Sequence, residues 1–134
     1  MSRGALEVKS KAFALEAIRL VHIVQTNKRE YVLTKQYLRA ATNPGAMARE
    51  AQHAESLPDF IHKLKIAKKE VEEAGYWYEL LLESDRYLVG IDGTRARALQ
   101  EEVSRLLTSI IRTSKLRLAD QQKRSPKKRQ PPKS

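Results

Sequence analysis

Residues 56–84 read SLPDFIHKLKIAKKEVEEAGYWYELLLES, and this stretch decides the fold class. Its apolar positions Phe60, Ile61, Leu64, Ala67, Val71, Ala74, Tyr78, Leu81 and Leu82 recur at helical spacing for about seven turns. The start is marked: Ser56 can cap, Pro58 is tolerated in the first turn, and Asp59 places a carboxylate near the helix N-terminus. The outer face pairs Lys68 with Glu72 and Lys69 with Glu73 at i,i+4, each worth a few tenths of a kcal/mol. The spacing predicts a helix over residues 57–84.

The same period extends to both sides. Leu6, Phe13, Ala14, Ala17, Ile18, Leu20, Val21 and Val24 predict a helix over 5–26, closed by the polar run Thr26-Asn27-Lys28-Arg29. Residues 31–54 read as a second helix whose apolar side is Leu33, Tyr37, Ala40, Ala41, Ala48 and Ala51. Pro44 inside it cannot donate to the helical ladder, which predicts a kink. After Gly90-Ile91-Asp92-Gly93-Thr94, with Thr94 as candidate cap, Leu99, Val103, Leu106, Leu107, Ile110, Ile111 and Leu118 predict a fourth helix. No strand pattern occurs. The expected fold is an all-α, antiparallel up-down-up-down four-helix bundle over residues 1–122, followed by a disordered basic tail over 123–134.

Charge divides the chain in the same place. Residues 1–122 hold 20 Lys or Arg against 16 Asp or Glu, whereas residues 123–134 hold six basic residues and no acid. Most of the net +10 therefore sits in the last dozen residues. Lys123, Arg124, Lys127, Lys128, Arg129 and Lys133, continued inward by Arg112, Lys115 and Arg117, are the candidate contacts for a polyanion such as RNA or DNA. Arg105 is set aside because Glu101 can pair with it at i,i+4. The tyrosines do not interleave with the basic run, so base stacking on aromatic rings has little support.

Helices 3 and 4 carry more apolar surface than one seam uses. Ile66, Trp77 and Leu80 on helix 3, and a row of Leu107, Ile111 and Leu118 on helix 4, make either a wide core face or a homo-oligomer interface. Arg39, Glu50 and Glu70 are candidates for a structural polar network, because small neighbours such as Ala41, Gly45 and Ala48 let helices approach closely.

Chemistry finds little footing. The chain has no cysteine, phosphate-binding glycine loop or Gly-x-Ser-x-Gly elbow. Glu50-Ala51-Gln52-His53 is a single Glu-x-x-His, and carboxylate-bridged metal bundles need two. Arg19 with His22, and Arg49 with His53, lack the spacing of helical ribonucleases. The expectation is a non-enzymatic protein with no metal or cofactor. No apolar run approaches the roughly 20 residues of a membrane span, and Glu7, Lys9 and Lys11 sit where a signal peptide would be apolar. A cytoplasmic location, with no membrane partner, is expected.

Several of these residues together resemble the bacterial four helix bundle protein family, also called the large-subunit ribosomal RNA intervening-sequence proteins. The resemblance spans about residues 6–116. In the second helix it rests on Arg39, Gly45-Ala46 and Glu50-Ala51. In the third it rests on Asp59-Phe60-Ile61, Lys63-Leu64, Ile66-Ala67, Lys69-Glu70 and Tyr76-Trp77, and in the last on Ile110-Ile111 and Thr113-Ser114-Lys115. Met47 stands where the family often has Asn, Ala74 where it often has Thr, and Pro44 where Ile, Val or Ser is common. The resemblance implies a ring-shaped homopentamer without known catalytic activity. It also points to the related accessory variability determinants of diversity-generating retroelements, which are basic pentamers that bind a reverse transcriptase and its template RNA. The expected function is thus a basic homo-oligomeric nucleic-acid-binding accessory protein, RNA favoured, with a reverse transcriptase as a possible partner. The alternative is a protein-interaction scaffold without a nucleic-acid role.

Overall fold

The computed structural model describes residues 3–124. Within them lie four helices and no strand: α1 (Arg3–Lys28), α2 (Leu33–Ala51), α3 (Leu57–Glu83) and α4 (Thr94–Arg124). Each packs on two neighbours, α1 on α2 and α4, and α3 on α2 and α4, which closes an up-down-up-down ring around one core. That core runs from Leu6 and Phe13 on α1 through Tyr37, Ala40 and Ala41 on α2 and Leu64 and Val71 on α3 to Val103 and Leu107 on α4. Of the tail expected over 123–134, residues 125–134, with Lys127, Lys128, Arg129 and Lys133, lie outside the described residues.

Burial corrects several positions. Ile18 and Leu82, placed by their spacing on core faces, are about half exposed. Each sits at the margin of its helix's apolar arc, and in a four-member ring both arc edges are covered only where a neighbouring helix overhangs them. On α4 the outcome is the reverse. Leu107 is 0% exposed and Ile111 is buried, so these two belong to the monomer core, while Leu118 packs against it only in part.

Helix termini follow local chemistry. Ser56 caps α3, its hydroxyl accepting from the Asp59 N–H at 3.2 Å, while Asp59 accepts from the Glu55 N–H. At α4 the acceptor is Asp92 rather than Thr94. Asp92 Oδ1 takes both the N–H and the hydroxyl of Thr94, at 2.9 and 2.6 Å, so Thr94 is the first helical residue and a donor. α2 begins at Leu33 and ends at Ala51, shorter at both ends than its periodicity suggests. It continues helical through the buried Pro44.

The start of α2 is held by a residue with no obvious signal in the sequence. Glu30, 8% exposed, accepts from the backbone N–H groups of Val32, Leu33 and Thr34 at 2.9, 2.8 and 2.7 Å. Thr34 donates back to the Glu30 carbonyl, and Gln25 of α1 donates to the Thr34 hydroxyl. Burial alone would raise the Glu30 carboxyl, but the three backbone donors outweigh it and hold the group below its ordinary range. Because the folded value is depressed, its contribution is fully present above the unfolded value near 4.3 and is lost as pH falls through the folded value. Glu30→Gln should therefore cost about 2 kcal/mol at neutral pH, with the gap to wild type closing below about pH 4. Urea melts at pH 7 and pH 3 check both parts.

A second buried polar group works against stability. The Tyr37 ring, 1% exposed, meets Phe13 edge-on at 6.5 Å and Tyr78 at 6.3 Å, and its hydroxyl has no hydrogen-bond partner among the described residues. Burial pushes its ionisation well above the usual range. Tyr37→Phe keeps the ring packing and removes the stranded hydroxyl, so the melting temperature should rise, by about 1 kcal/mol in stability terms.

Candidate nucleic-acid interface

Antiparallel topology sorts the charges along the bundle axis. One end is built from residues 3–15, 42–70 and 105–124, and holds 14 Lys or Arg against 6 Asp or Glu. The opposite end, residues 16–41 and 71–104, holds 8 against 10. The described bundle is thus a molecule with net +8 at one end and −2 at the other. Part of the positive end stands clear of the bundle. Lys68–Ser104 and Gln100–Val71 fix the α3–α4 register, which sets the start of α3 opposite about residue 115 of α4. From Lys115 to Arg124 every residue but Leu118 is exposed, and these ten residues reach about 15 Å at 1.5 Å per residue.

Where α3 and α4 meet beneath this projection lies an open groove of about 540 Å³. Lys65 and Lys68 line it from α3, and Arg112, Lys115 and Leu116 from α4, over a floor that includes the buried Ile111. Lys68 is engaged, donating to Glu72 at 2.8 Å and to Ser104 at 3.1 Å. Lys65, Arg112 and Lys115 make no ion pair within the described residues, so their charge faces solvent undiminished. Leu116 is 66% exposed between them.

The structure thus brings together two of the sequence candidates, Arg112 and Lys115, and adds Lys65 and Lys68. The lysines of α3 escaped notice because they are about 50 residues away in sequence and alternate with apolar positions, the ordinary look of a solvated helix face. Arg117 does not join the groove. Five residues beyond Arg112 it is turned by roughly 140° at 100° per residue and projects from the other side of α4. Lys123 and Arg124 belong to α4 rather than to a tail, and Arg124 is paired with Asp120 at 3.2 Å. Arg105 is exposed and forms no ion pair with Glu101.

The polar network is rearranged as well. Arg39 bridges α2 to α3 through Glu70 at 2.9 Å and Glu73 at 2.6 Å, and Trp77 Nε1 donates to the same Glu73 oxygen. Glu50 takes no part. It shares the helical face of Arg39 but stands about 16 Å further along α2, beyond reach of that pair. Glu73, drawn to Arg39, does not form the expected ion pair with Lys69. With Arg39 about half exposed the bridge is a surface one, worth about 1 kcal/mol or less, and its use is in fixing the α2–α3 register.

His53 falls beyond the end of α2, so Glu50 and His53 do not share a helix face. Among the described residues no three His, Asp or Glu side chains cluster as a ligand set. A second cleft, between α1 and the α3–α4 connection, carries Arg19 and Arg95, but Glu16 takes Arg19 in a bidentate pair and neutralises much of their charge. No helix among the described residues is long and apolar enough to cross a membrane.

Fold and surface define an all-α bundle protein with a cationic groove at one end. The family model of the 23S rRNA-intervening sequence proteins matches residues 5–109, and the chain belongs to that family. Its fold matches the crystal structure of a protein of unknown function from the S23 ribosomal protein family of Bacteroides thetaiotaomicron. The two are 39% identical with a TM-score of 0.74, over 79% of this chain and 97% of that one. No curated protein matches the sequence. The family match ends before Arg112, so half of the groove lies beyond it.

Proposed function

We propose that the chain is a non-enzymatic, basic, homo-oligomeric nucleic-acid-binding accessory protein, with RNA favoured as ligand. The observation that carries this reading is the set of cations Lys65, Arg112 and Lys115, without ion pairs among the described residues, gathered on one groove at the positive end. A polyanion laid there releases counterions from every phosphate it presents to a cation. Self-association draws support from Val8, Leu15 and Ile18, which leave an apolar row exposed along α1. The family resemblance makes a pentamer the expected assembly and a reverse transcriptase one candidate protein partner.

Two measurements test the reading. Light scattering should give about five times the 15.3 kDa monomer mass. Deleting residues 123–134 should preserve fold and mass and weaken RNA binding. It should also flatten the salt dependence by about 0.7–0.9 in log K per log salt for each phosphate that no longer meets a cation. If the full chain binds neither RNA nor DNA near 100 mM salt, a protein-interaction scaffold replaces this reading; a monomer would remove the oligomer.

A further inference from the structure

We propose that the α3–α4 groove selects single-stranded over duplex RNA, with a base resting on Leu116 while phosphates bind Lys65, Arg112 and Lys115. The proposal rests on the nucleic-acid reading above and specifies its ligand. A purely phosphate-binding surface has no use for an apolar centre, because duplex phosphates would only leave that side chain pressed against charge and water. Leu116, 66% exposed, stands among the groove's cations one turn beyond Arg112, so the two side chains are neighbours on one helix face. The matching ligand must carry negative charge and an accessible flat apolar face within a few ångströms of it. Single strands present that combination, since their bases can be splayed out and stacked on apolar side chains or on a guanidinium plane. Duplexes hide their base faces. Arg112, without an ion pair among the described residues, can supply such a plane beside Leu116.

An extended chain fits better than a compact anion. Lys123 shares the helical face of Arg112 about 16 Å further along α4, so a strand seated in the groove finds a further partner in that direction.

The test compares three probes of matched length near about 150 mM salt. They are a single-stranded oligouridylate of roughly 12 nucleotides, its duplex with oligoadenylate, and inorganic polyphosphate as a polyanion without bases. Electrostatics alone favours the duplex, whose charge density is higher. The groove predicts the opposite order, with the single strand bound about tenfold more tightly. Leu116→Gln changes no charge and no buried packing; it should weaken the single strand about fivefold and leave duplex and polyphosphate binding unchanged. Lys65→Gln should weaken all three and flatten each salt slope by just under one. Unchanged circular-dichroism melts confirm that both variants fold. Equal or tighter duplex binding overturns the proposal, as does a Leu116→Gln loss that extends to polyphosphate. Failure of the full chain to bind any of the three overturns the broader nucleic-acid function instead.

Discussion

Lys65→Glu, Arg112→Glu and Lys115→Glu, combined in one chain, should lower RNA affinity by about 100-fold or more near physiological salt. Each reversal takes a cation from a phosphate and sets a carboxylate in its place, so attraction becomes repulsion at three points of one groove. The slope of log K against log salt should fall by roughly two for single-stranded RNA. Folding should be unaffected, because the three side chains form no ion pair within the described residues and lie outside the buried core. The same reversals at Arg19, Lys35 and Arg86, which lie toward the opposite end, should do much less. Anisotropy titrations at several salt concentrations separate the two sets. Equal losses from both would mean that net charge, rather than the groove, governs binding.

Leu107→Ala should cost about 3 kcal/mol, within the 2–5 kcal/mol typical of a leucine removed from a closed core. Leu107 is 0% exposed inside the isolated chain, so the cavity opens in the monomer core, and the surrounding helices can collapse onto it only in part. For a domain whose total stability is of the order of 5–15 kcal/mol, that is a large fraction, and the melting temperature should fall by roughly 10 °C. The assembled mass should stay the same at temperatures where the variant is folded. If the melting temperature held and the mass dropped instead, Leu107 would be serving an interface. Ile18→Glu on α1, where the side chain is about half exposed, should show the complementary pattern: little change in the fold and a loss of self-association.

How far the sequence reveals this protein differs from residue to residue. The core positions of α3 other than Leu82 follow directly from their spacing, because one face of a long helix must be apolar to be buried at all. Ser56 announces its cap for a similarly local reason, a hydroxyl three residues before a donor that needs an acceptor. Leu107 and Ile18 needed the structure: spacing left Leu107 open between core and interface, and it placed on a core face an Ile18 that is about half exposed. Both have the right hydrophobicity, and how wide a buried arc each helix has is set by how two neighbours straddle it, which no single helix encodes. Glu30 is harder still. A glutamate just ahead of a helix is common on surfaces, and only the tight turn after Arg29, at φ 53°, folds its carboxylate back over the first N–H groups of α2.

The functional surface divides along the same line. Helix content, helix order and the excess of positive charge near the C-terminus are properties of composition and period, the family is carried by particular residue strings, and the sequence determined all of these alone. Which cations act together was decided by tertiary structure. Antiparallel packing of α3 against α4 brings Lys65 within one groove of Arg112 and Lys115, while 3.6 residues per turn carries Arg117 away from its near neighbours in sequence. It likewise takes Glu73 to Arg39 and leaves Glu50 out. The physical reason is one of range: helical propensity and amphipathic period act over a few residues, whereas a binding site is a matter of distances between atoms, and those exist only once the helices have chosen their partners and register.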